Sequence, residues 1–448
     1  MEPRRQQTVI PDEGNRKRHR RLQTMGTETA GIRYQSEHRE KVQNLMYLVN
    51  ERTLMEEHQK QNRKKATGID GVNKTSYDVN AVESIHDLVE RMKKFQYRPL
   101  PVRRTYIPKN NGKLRPLGIP AYEDRLVQGV MANILSEVYE GRFLECSYGF
   151  RPGRSCHDVV RLINQTVMNR NVNYVLEADI KGFFDNVNHD WLMKFLEHDI
   201  QDKNFLRYVK RFLIAGIMED GKLMDSGRGT PQGGLISPVL ANVYLHYVLD
   251  LWFEKAIKPR LQGEAYYVRY ADDFLILFQN EKDAQAVLEV LKKRLGKFSL
   301  EAAEDKTRIM PIGRHKGTKE NFDFLGFTFY NTQTRVGKYR LGIRTSKKKL
   351  KSKQQAAKAW LKEQKNMPIG STLKALALVM RGHCNYYGIS GNSKDIRSFH
   401  LYLITATYRM LTRRSQKSKL TWDKFKRIWK EYVTPPRIYV DIWTPRTA

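Results

Sequence analysis

The sequence predicts an α+β protein with a mainly helical C-terminal region, and three features indicate this class. Apolar segments of strand length alternate with amphipathic helical patterns through the middle of the chain. Two tight hairpins are marked by their turn residues, and roughly the last hundred residues are helical, basic and aromatic up to a tail after Val433. With 448 residues, the chain has room for roughly two to four domains and a cleft.

The charge of the chain narrows its function. Lys and Arg number 80 against 48 Asp and Glu, a net charge of +32, which is typical of proteins that bind a polyanion. No apolar run approaches the roughly 20 residues that span a bilayer, so nucleic acid is favoured over a membrane. The N-terminal segment has no apolar signal-peptide core, so we expect a cytoplasmic protein. Its three cysteines are too few and too widely spaced for a disulfide framework or a CxxC zinc site.

The N-terminal third is predicted to hold a basic arm, helices and the first hairpin. Residues 1 to about 30 are too polar to fold alone, and apolar residues at helical spacing follow from Tyr34 to Lys65. A glycine-marked turn, TGIDGV, precedes the helical pattern AVESIHDLVERMKKF. Between Arg103 and Pro120 an Asn-Gly pair separates two strand-like segments, which predicts a hairpin, and a helix is expected from Glu123 to Glu140.

The middle of the chain alternates strands with helices. NYVLEADI predicts a strand, HDWLMKFLEHDI a helix and SPVLANVYLHYVLDLWFEKA a long helix, and the second hairpin follows in AYYVRYADDFLILF. Further on, the segment from Arg335 to Lys353 contains nine Lys and Arg and no acid, which predicts a linker or a surface that faces phosphates.

Three aspartates indicate the chemistry. Asp272 and Asp273 occupy the tip of the second hairpin, and Asp179 ends an apolar strand about ninety residues earlier. Such an arrangement can hold two Mg²⁺ ions on oxygen ligands, one activating an attacking hydroxyl and the other holding a leaving pyrophosphate. Metal charge would offset the repulsion between the adjacent acids. The simpler interpretations are a polar turn and a surface salt-bridge cluster.

Other segments could supply what nucleotidyl transfer needs. Lys109 and Arg115, on the basic hairpin, could bind a triphosphate, although such a hairpin is often only solvated. Gln232, in RGTPQGGLISP, could lie against a base or sugar, unless this segment is merely the loop that enters a helix. Phe184 could wall off the sugar 2′ position or be an ordinary core residue. Lys306 could protonate or neutralise the leaving pyrophosphate, which most lysines do not do.

The motifs in this order resemble the reverse transcriptase family, and particularly the reverse transcriptases encoded by group II introns. The resemblance covers about 260 residues, and PQGG..SP.LAN together with YADD and FLGF is its most specific part. The matching segments are TGIDGV at 67–72, GKLRPLGIP at 112–120, DIKGFFDNV at 179–187, PQGGLISPVLANVYL at 231–245, YADD at 270–273, EDKTRI at 304–309 and FLGFTF at 324–329.

This resemblance implies a right-hand polymerase fold with fingers, palm and thumb. It implies that Asp179, Asp272 and Asp273 bind two Mg²⁺ ions, with the backbone carbonyl of Ile180 assisting. It also implies that FLGF helps to grip the primer. The same resemblance assigns contacts with the incoming nucleotide to Lys109, Arg115, Phe184 and Gln232.

The C-terminal region narrows the resemblance further. LKALALVMRGHCNYYGISG, Leu373 to Gly391, looks like the maturase domain of group II intron proteins, in which basic and aromatic helices bind the intron RNA. A simpler interpretation is a helical thumb that only holds a primer duplex. We expect no zinc-bearing endonuclease domain, as in the compact intron classes. The residues predicted to bind RNA are Arg63, Lys64, Lys65, Lys347, Lys348, Lys349, Tyr386, Tyr387, Arg413 and Arg414.

The expected organisation is a basic N-terminal extension at 1–66, reverse transcriptase fingers and palm at 67–332, and a thumb/maturase domain at 333–448. The expected partners are group II intron RNA, an RNA template with a DNA primer, dNTPs and target DNA, with no membrane, in the cytoplasm of a bacterium. The alternatives are a retron or diversity-generating reverse transcriptase, and a splicing-only RNA-binding protein with an inactive polymerase. A viral RNA-dependent RNA polymerase is disfavoured because Phe184 would hinder ribonucleotides.

Overall fold

The computed structural model describes residues 30–38, 40–108, 114–219, 222–224, 229, 233–315, 319–414 and 419–444. The predicted basic arm therefore lies almost wholly outside the described residues, as does the Asn-Gly turn of the first hairpin. Among the helices in these ranges, none is both long enough and apolar enough to cross a membrane.

Helices dominate the described residues before Val102 and after Thr345. One α-helix in the middle, which begins at Ser237, has irregular extensions: a π-helical segment, His246–Asp250, follows it directly, and a second π-helical segment, Phe253–Ile257, follows two residues later. The α-helices in chain order are α1 (Ala30–Glu37), α2 (Glu51–Lys60), α3 (Lys74–Asp78), α4 (Ala81–Lys93), α5 (Tyr122–Glu140), α6 (Cys156–Asn169), α7 (Phe183–Asn186), α8 (His189–Asp199), α9 (Lys203–Leu213), α10 (Ser237–Leu245), α11 (Glu281–Lys297), α12 (Lys347–Glu363), α13 (Ile369–Tyr387), α14 (Ser393–Thr412) and α15 (Trp422–Tyr432).

The strands form three sheets. The strands in chain order are β1 (Val102–Pro108), β2 (Leu114–Ile119), β3 (Tyr174–Ala178), β4 (Ile217–Glu219), β5 (Lys222–Met224), β6 (Ala265–Tyr270), β7 (Asp273–Phe278), β8 (Arg308–Pro311), β9 (Asn321–Phe324), β10 (Phe327–Gln333) and β11 (Tyr339–Thr345). The first sheet has the order β2-β1-β4-β5, the central sheet β6-β7-β3-β8 and the C-terminal sheet β11-β10-β9. All neighbouring strands are antiparallel except β1 and β4. Separate helical regions and antiparallel sheets agree with the α+β class that the sequence predicts.

The central sheet is buried on both faces. Because side chains alternate along a strand, Phe274, Ile276 and Phe278 of β7 join one hydrophobic core with helices from the N-terminal half. Their neighbours Leu275 and Leu277 join a second core, which contains α6, the C-terminal sheet and the C-terminal helices. The sheet therefore separates the two cores and contributes one face to each. The ends of its strands lie at the edge of these cores, where they can form a site.

Most of the predicted elements are present at the expected places, but the structure differs from one prediction. The pattern from Tyr34 to Lys65 is not one helix, because α1 ends at Glu37 and α2 begins only at Glu51. Between them Val42 pairs with Ile200, at the end of α8, as an isolated bridge. A long-range contact therefore interrupts a helical pattern that is locally continuous.

The expected domain limit between residues 332 and 333 falls at the end of β10. Here the C-terminal sheet continues from β9 and β10 into β11, and the second core includes residues on both sides of this limit. The parts on either side pack together as one body around that core.

Candidate active site

Asp179 and Asp273 lie next to each other at one end of the central sheet. The register of β3 and β7 pairs Ala178 with Phe274, and continuing it by one position sets Asp179 opposite Asp273. Opposed side chains on an antiparallel pair lie on the same face of the sheet, with Cβ atoms roughly 4.5–5.5 Å apart. The strands thus bring together two carboxylates from distant parts of the sequence.

Asp272 is presented by a tight turn. Tyr270 pairs with Asp273, so only Ala271 and Asp272 connect β6 to β7. Ala271 has φ of +57°, the left-handed conformation that two-residue hairpins require and that residues with a Cβ rarely adopt. The hairpin predicted by the sequence is confirmed, and its turn is held in an unfavourable conformation.

Two of the three aspartates, Asp272 and Asp273, have raised pKa values. Burial by surrounding protein raises the pKa of Asp273 to about 7, and the negative charges of Asp272 and Asp179 add to this rise, although the side chain remains open to solvent. Burial also raises the pKa of Asp272, where the charge of Asp179 contributes and the charges of Arg115 and Lys306 oppose it. Carboxylates in such surroundings gain most from a nearby cation.

Lys306 is bonded directly to one of these acids. Its ammonium group donates a hydrogen bond to Asp179 Oδ2, which raises the pKa of the lysine. Its side chain is 60% exposed, so the pair lies at the mouth of the site. Lys306 therefore neutralises part of the negative charge in this structure.

Ile180 follows Asp179 directly, and its carbonyl is not used by the neighbouring β-bridge. It forms an isolated antiparallel bridge with Ala302, whose two hydrogen bonds use the carbonyl of Asp179 and the amide of Lys181. The carbonyl of Ile180 takes no part in that bridge, as a carbonyl ligand would require.

The first hairpin and the loop before α10 meet near this site. Arg115 is exposed on β2, and its charge is felt at Asp272. Gly233 passes so close to β2 that an added Cβ would lie 2.3 Å from the carbonyl oxygen of Gly118. The close backbone approach expected for this glycine-rich loop is therefore present. Lys109 and Gln232 fall outside the described residues.

Phe184 is half-buried on α7, which follows Asp179. Its ring meets Phe183 edge-on, with 5.3 Å between centroids, and packs against the first core. Gly229 lies against its backbone, since an added Cβ there would be 2.9 Å from the carbonyl oxygen of Phe184. The position is compatible with either a sugar-facing ring or a core residue.

A cavity of about 860 Å³ opens beside the aspartates. It lies between the Tyr270–Asp273 turn, the Leu325–Gly326 loop, α12 and α13. Its lining combines acids, bases and exposed apolar side chains of α13, which suits a nucleic-acid strand better than a small apolar ligand. Residues that line it include Asp272, Asp273, Gly326, Lys349, Lys353 and His383. Sequence reasoning overlooked Lys353 and His383. Lys353 lies one helical turn after the predicted Lys349, and His383 lies one turn before the predicted Tyr387.

The predicted basic clusters are exposed. Arg63, Lys64 and Lys65 lie in the turn after α2, where Arg63 is 3.5 Å from an Asp78 carboxylate oxygen. Lys347, Lys348 and Lys349 form the first turn of α12, and this turn contains no acidic residue.

The predicted aromatic pair is largely internal. Tyr387 is 4% exposed, and Tyr386 donates a hydrogen bond to the carbonyl of Leu325 at 2.9 Å. Both rings pack on Phe327, so the pair joins α13 to the FLGF segment. This burial favours a structural role, and base stacking by Tyr387 is not part of our proposal.

The two predicted arginines at the end of α14 differ. Arg413 is exposed, whereas Arg414 donates hydrogen bonds of 2.8 Å to the carbonyls of Met367 and Gln364. Arg414 thereby fixes the connection between α12 and α13.

The donor set fits a divalent cation, but it is not gathered around one point. Within the ranges described above, no three His, Cys, Asp or Glu side chains converge closely enough to hold a metal ion. The carboxylates are nevertheless of the type that Mg²⁺ prefers, and the pKa values of Asp272 and Asp273, raised by burial and by neighbouring negative charge, indicate a site where a cation would be stabilised. Asp179 would have to exchange Lys306 for the ion.

Comparisons with known proteins find a reverse transcriptase family model and intron-encoded relatives. Residues 107–329 match the family model described as reverse transcriptase (RNA-dependent DNA polymerase). The chain is 34% identical to protein YkfC of Escherichia coli K12, over 61% of this chain and 78% of that protein. It is 29% identical to the group II intron-encoded protein LtrA of Lactococcus lactis subsp. cremoris, over 82% of this chain and 73% of that protein. A shorter match, 26% identical over 31% of this chain and 24% of that protein, is to nuclear intron maturase 2, mitochondrial, of Arabidopsis thaliana.

Proposed function

Because this chain belongs to the group II intron reverse transcriptase/maturase family, we propose that it copies RNA into DNA and also binds its intron RNA to assist splicing. We further propose that it supports retrohoming by target-primed reverse transcription, in which a 3′-hydroxyl of the target DNA serves as primer. Its partners would then be group II intron RNA, an RNA template with a DNA primer, dNTPs and target DNA.

The observation that carries the proposal is the set of three acids at one end of the central sheet. Asp179 lies opposite Asp273, and Asp272 lies in the adjoining turn, at the mouth of the cavity lined by Lys349. A purely RNA-binding protein of this charge has no use for three acids whose negative charges repel the phosphates it must bind.

Asp179, Asp272 and Asp273, with the Ile180 carbonyl, would hold two Mg²⁺ ions. When bound, the ions supply Lewis-acid activation of the primer hydroxyl and stabilise charge on the leaving pyrophosphate. The protein positions the groups around them: Arg115, Lys109 and Gln232 would orient the nucleotide. Lys306, once released from Asp179, would neutralise the pyrophosphate, and Phe184 would exclude a 2′-hydroxyl.

The architecture supports a right-hand arrangement. In this assignment the first sheet with α4 and α5 forms the fingers, the central sheet the palm, and α12 to α15 the thumb. The proposed domain limits remain 1–66 for the N-terminal extension, 67–332 for fingers and palm, and 333–448 for the thumb/maturase part. The exposed bases Arg63, Lys64, Lys65, Lys347, Lys348, Lys349 and Arg413 would contact RNA phosphates.

Primer extension tests the catalytic assignment. Asp272→Asn keeps the size of the side chain but removes a charged ligand, so Mg²⁺-dependent DNA synthesis on an annealed RNA template should fall at least about 1,000-fold, a loss of roughly 4 kcal/mol. Binding of intron RNA should stay within about twofold, because affinity rests on phosphate contacts. Asp185→Asn is the matched control: Asp185 is exposed in the same motif and carries no proposed metal contact.

Two results would contradict the proposal. Equal activity of the two variants would remove Asp272 from the site. A wild-type chain that promotes intron splicing but extends no primer would favour a splicing-only maturase; one relative is named an intron maturase.

A further inference from the structure

A fully buried arginine lies beneath the turn that carries Asp272. Arg269 is the last residue but one of β6, and its side chain is 0% exposed. Burying a guanidinium is costly unless its donors are paired. The contacts that make its burial tolerable therefore indicate what it holds in place.

Arg269 makes five hydrogen bonds. Its Nε and Nη2 form a fork on the two carboxylate oxygens of Asp250, at 2.7 and 2.6 Å. Its Nη1 donates to Asn242 Oδ1 at 2.9 Å and to the backbone carbonyl of Ala271 at 3.0 Å. Its Nη2 also donates to the hydroxyl of Ser147 at 2.8 Å. One side chain thus connects the turn to three other segments.

These segments are themselves fixed to the turn. Asn242, on α10, accepts from Arg269 through Oδ1 and donates through Nδ2 to the carbonyl of Gly149 at 2.7 Å. Gly149 packs against the turn so tightly that an added Cβ would lie 2.3 Å from the amide nitrogen of Ala271. Asp250 is also 0% exposed and ends the π-helical segment after α10, a local irregularity that is often found at functional sites.

The turn needs such support, because Ala271 has a positive φ that a residue with a Cβ disfavours. We infer that Arg269 is a positioning residue for DNA synthesis, which holds the Ala271–Asp272 turn so that Asp272 and Asp273 face the reacting groups. This inference rests on the proposed function of the site. Arg269 touches no substrate; it acts through the carbonyl of Ala271 and through Asn242.

The competing explanation is that Arg269 only stabilises the fold, and the chain offers a matched control for it. Arg142 is a second buried arginine, with a side chain 8% exposed, paired at 2.7 Å with Asp199, which is 2% exposed. It joins the end of α5 to the end of α8, and its hydrogen bonds go to Asp199 and Glu40. Replacing it should perturb stability without moving the turn.

The test compares Arg269→Lys with Arg142→Lys in the full chain. Both keep the buried positive charge but lose the planar guanidinium with its several donors. Arg269→Lys should lower kcat for primer extension about 10- to 100-fold, because displacements of about 1 Å in a reacting geometry have effects of this size. The KM for the annealed template should stay within about twofold. Arg142→Lys should lower Tm by about as much as Arg269→Lys does, but it should leave kcat unchanged.

Mn²⁺ binding provides a readout that does not depend on turnover. It is measured from the electron paramagnetic resonance signal of free Mn²⁺, with a dideoxy-terminated primer on its template and the next dNTP. Arg269→Lys should weaken Mn²⁺ binding several-fold, and Arg142→Lys should not. Asn242→Ala, which keeps the Arg269–Asp250 pair, should show the same pattern more weakly and decides the matter if Arg269→Lys does not fold.

The inference is overturned if Asn242→Ala and any folded Arg269→Lys protein keep wild-type kcat and Mn²⁺ affinity. It is also overturned if Arg142→Lys loses kcat and Mn²⁺ affinity to the same extent. A wild-type chain that synthesises no DNA would instead contradict the proposed function, and Mn²⁺ binding by the variants would still test the positioning role.

Discussion

Removing the three lysines that begin α12 should weaken binding to intron RNA in a manner that depends on salt. Lys347, Lys348 and Lys349 are exposed, and no acid lies in that helical turn. They also stand at the positive end of the helix dipole, where cations are unfavourable. Bound phosphate would offset this repulsion. Changing all three to Ala should therefore leave the fold intact, with Tm equal to the wild type or slightly higher.

The expected magnitude follows from counting contacts. If each lysine neutralises one phosphate, the slope of log K against log salt concentration should become less steep by about 2 to 3. The affinity gap between wild type and variant would then narrow about 20- to 40-fold between 50 and 200 mM salt. Fluorescence anisotropy with labelled intron RNA across a salt series measures both quantities, with circular dichroism as the check on folding.

The same helix region supplies the control. Lys358, Lys362 and Lys365 are exposed at the other end of α12 and just beyond it, so changing them to Ala removes the same charge from the negative end of the helix. Their loss should alter the slope much less. Equal slopes for the two triple variants would show that net charge alone matters and would refute the assignment of the first turn as a phosphate site.

Three further predictions concern single residues. Phe184→Val should raise the rate of rNTP incorporation relative to dNTP, because a smaller side chain leaves room for a 2′-hydroxyl; an unchanged ratio in primer extension would assign the half-buried ring to the core. Arg413→Ala should weaken binding to the cognate intron more than to an unrelated duplex and leave Tm unchanged, since Arg413 is exposed. Arg414→Ala should instead lower stability by about 1–3 kcal/mol, measured by denaturant unfolding, through loss of two carbonyl contacts. Similar behaviour of the two arginine variants would contradict this separation.

The aspartates could be predicted from the sequence because their signals are local. Strand-like flanks and a short polar interruption define the hairpin of Asp272 and Asp273, and an apolar strand ending in an acid defines Asp179. Their juxtaposition could be expected, but the register that sets Asp179 opposite Asp273 depends on strand pairing between distant segments, which is not visible along the chain.

The support beneath the turn was missed, although two signals for it exist. Arg269 lies on the same face of β6 as Ala265 and Tyr267, both of them buried. Its side chain therefore points toward the interior, where it must find a partner. Asp250 is an isolated acid in the apolar run YVLDLWF of a predicted helix. A buried cation and a buried anion, each without a local partner, are candidates for one another.

The burial of Tyr387 could also have been predicted from the sequence, from its position on the helix. Aromatic residues among bases suggested RNA stacking, but Tyr387 falls on the helical face of Leu373, Leu376, Met380 and Cys384, all of them buried. Phase along α13 therefore predicts burial, and only the exposed positions of the same helix remain available to a nucleic acid.

The position of the central sheet between the two cores has a consequence for synthesis on the ribosome. β3 and β7 emerge early, but the C-terminal helices that complete the second core, to which Leu373 and Trp429 belong together with Val175 and Leu275, are made last. At 5–20 residues per second, the interval between residues 278 and 429 lasts about 8 to 30 seconds. For that time the second core contains α6 but lacks its C-terminal helices. The growing chain therefore needs a chaperone, or must aggregate only slowly, until those helices are made.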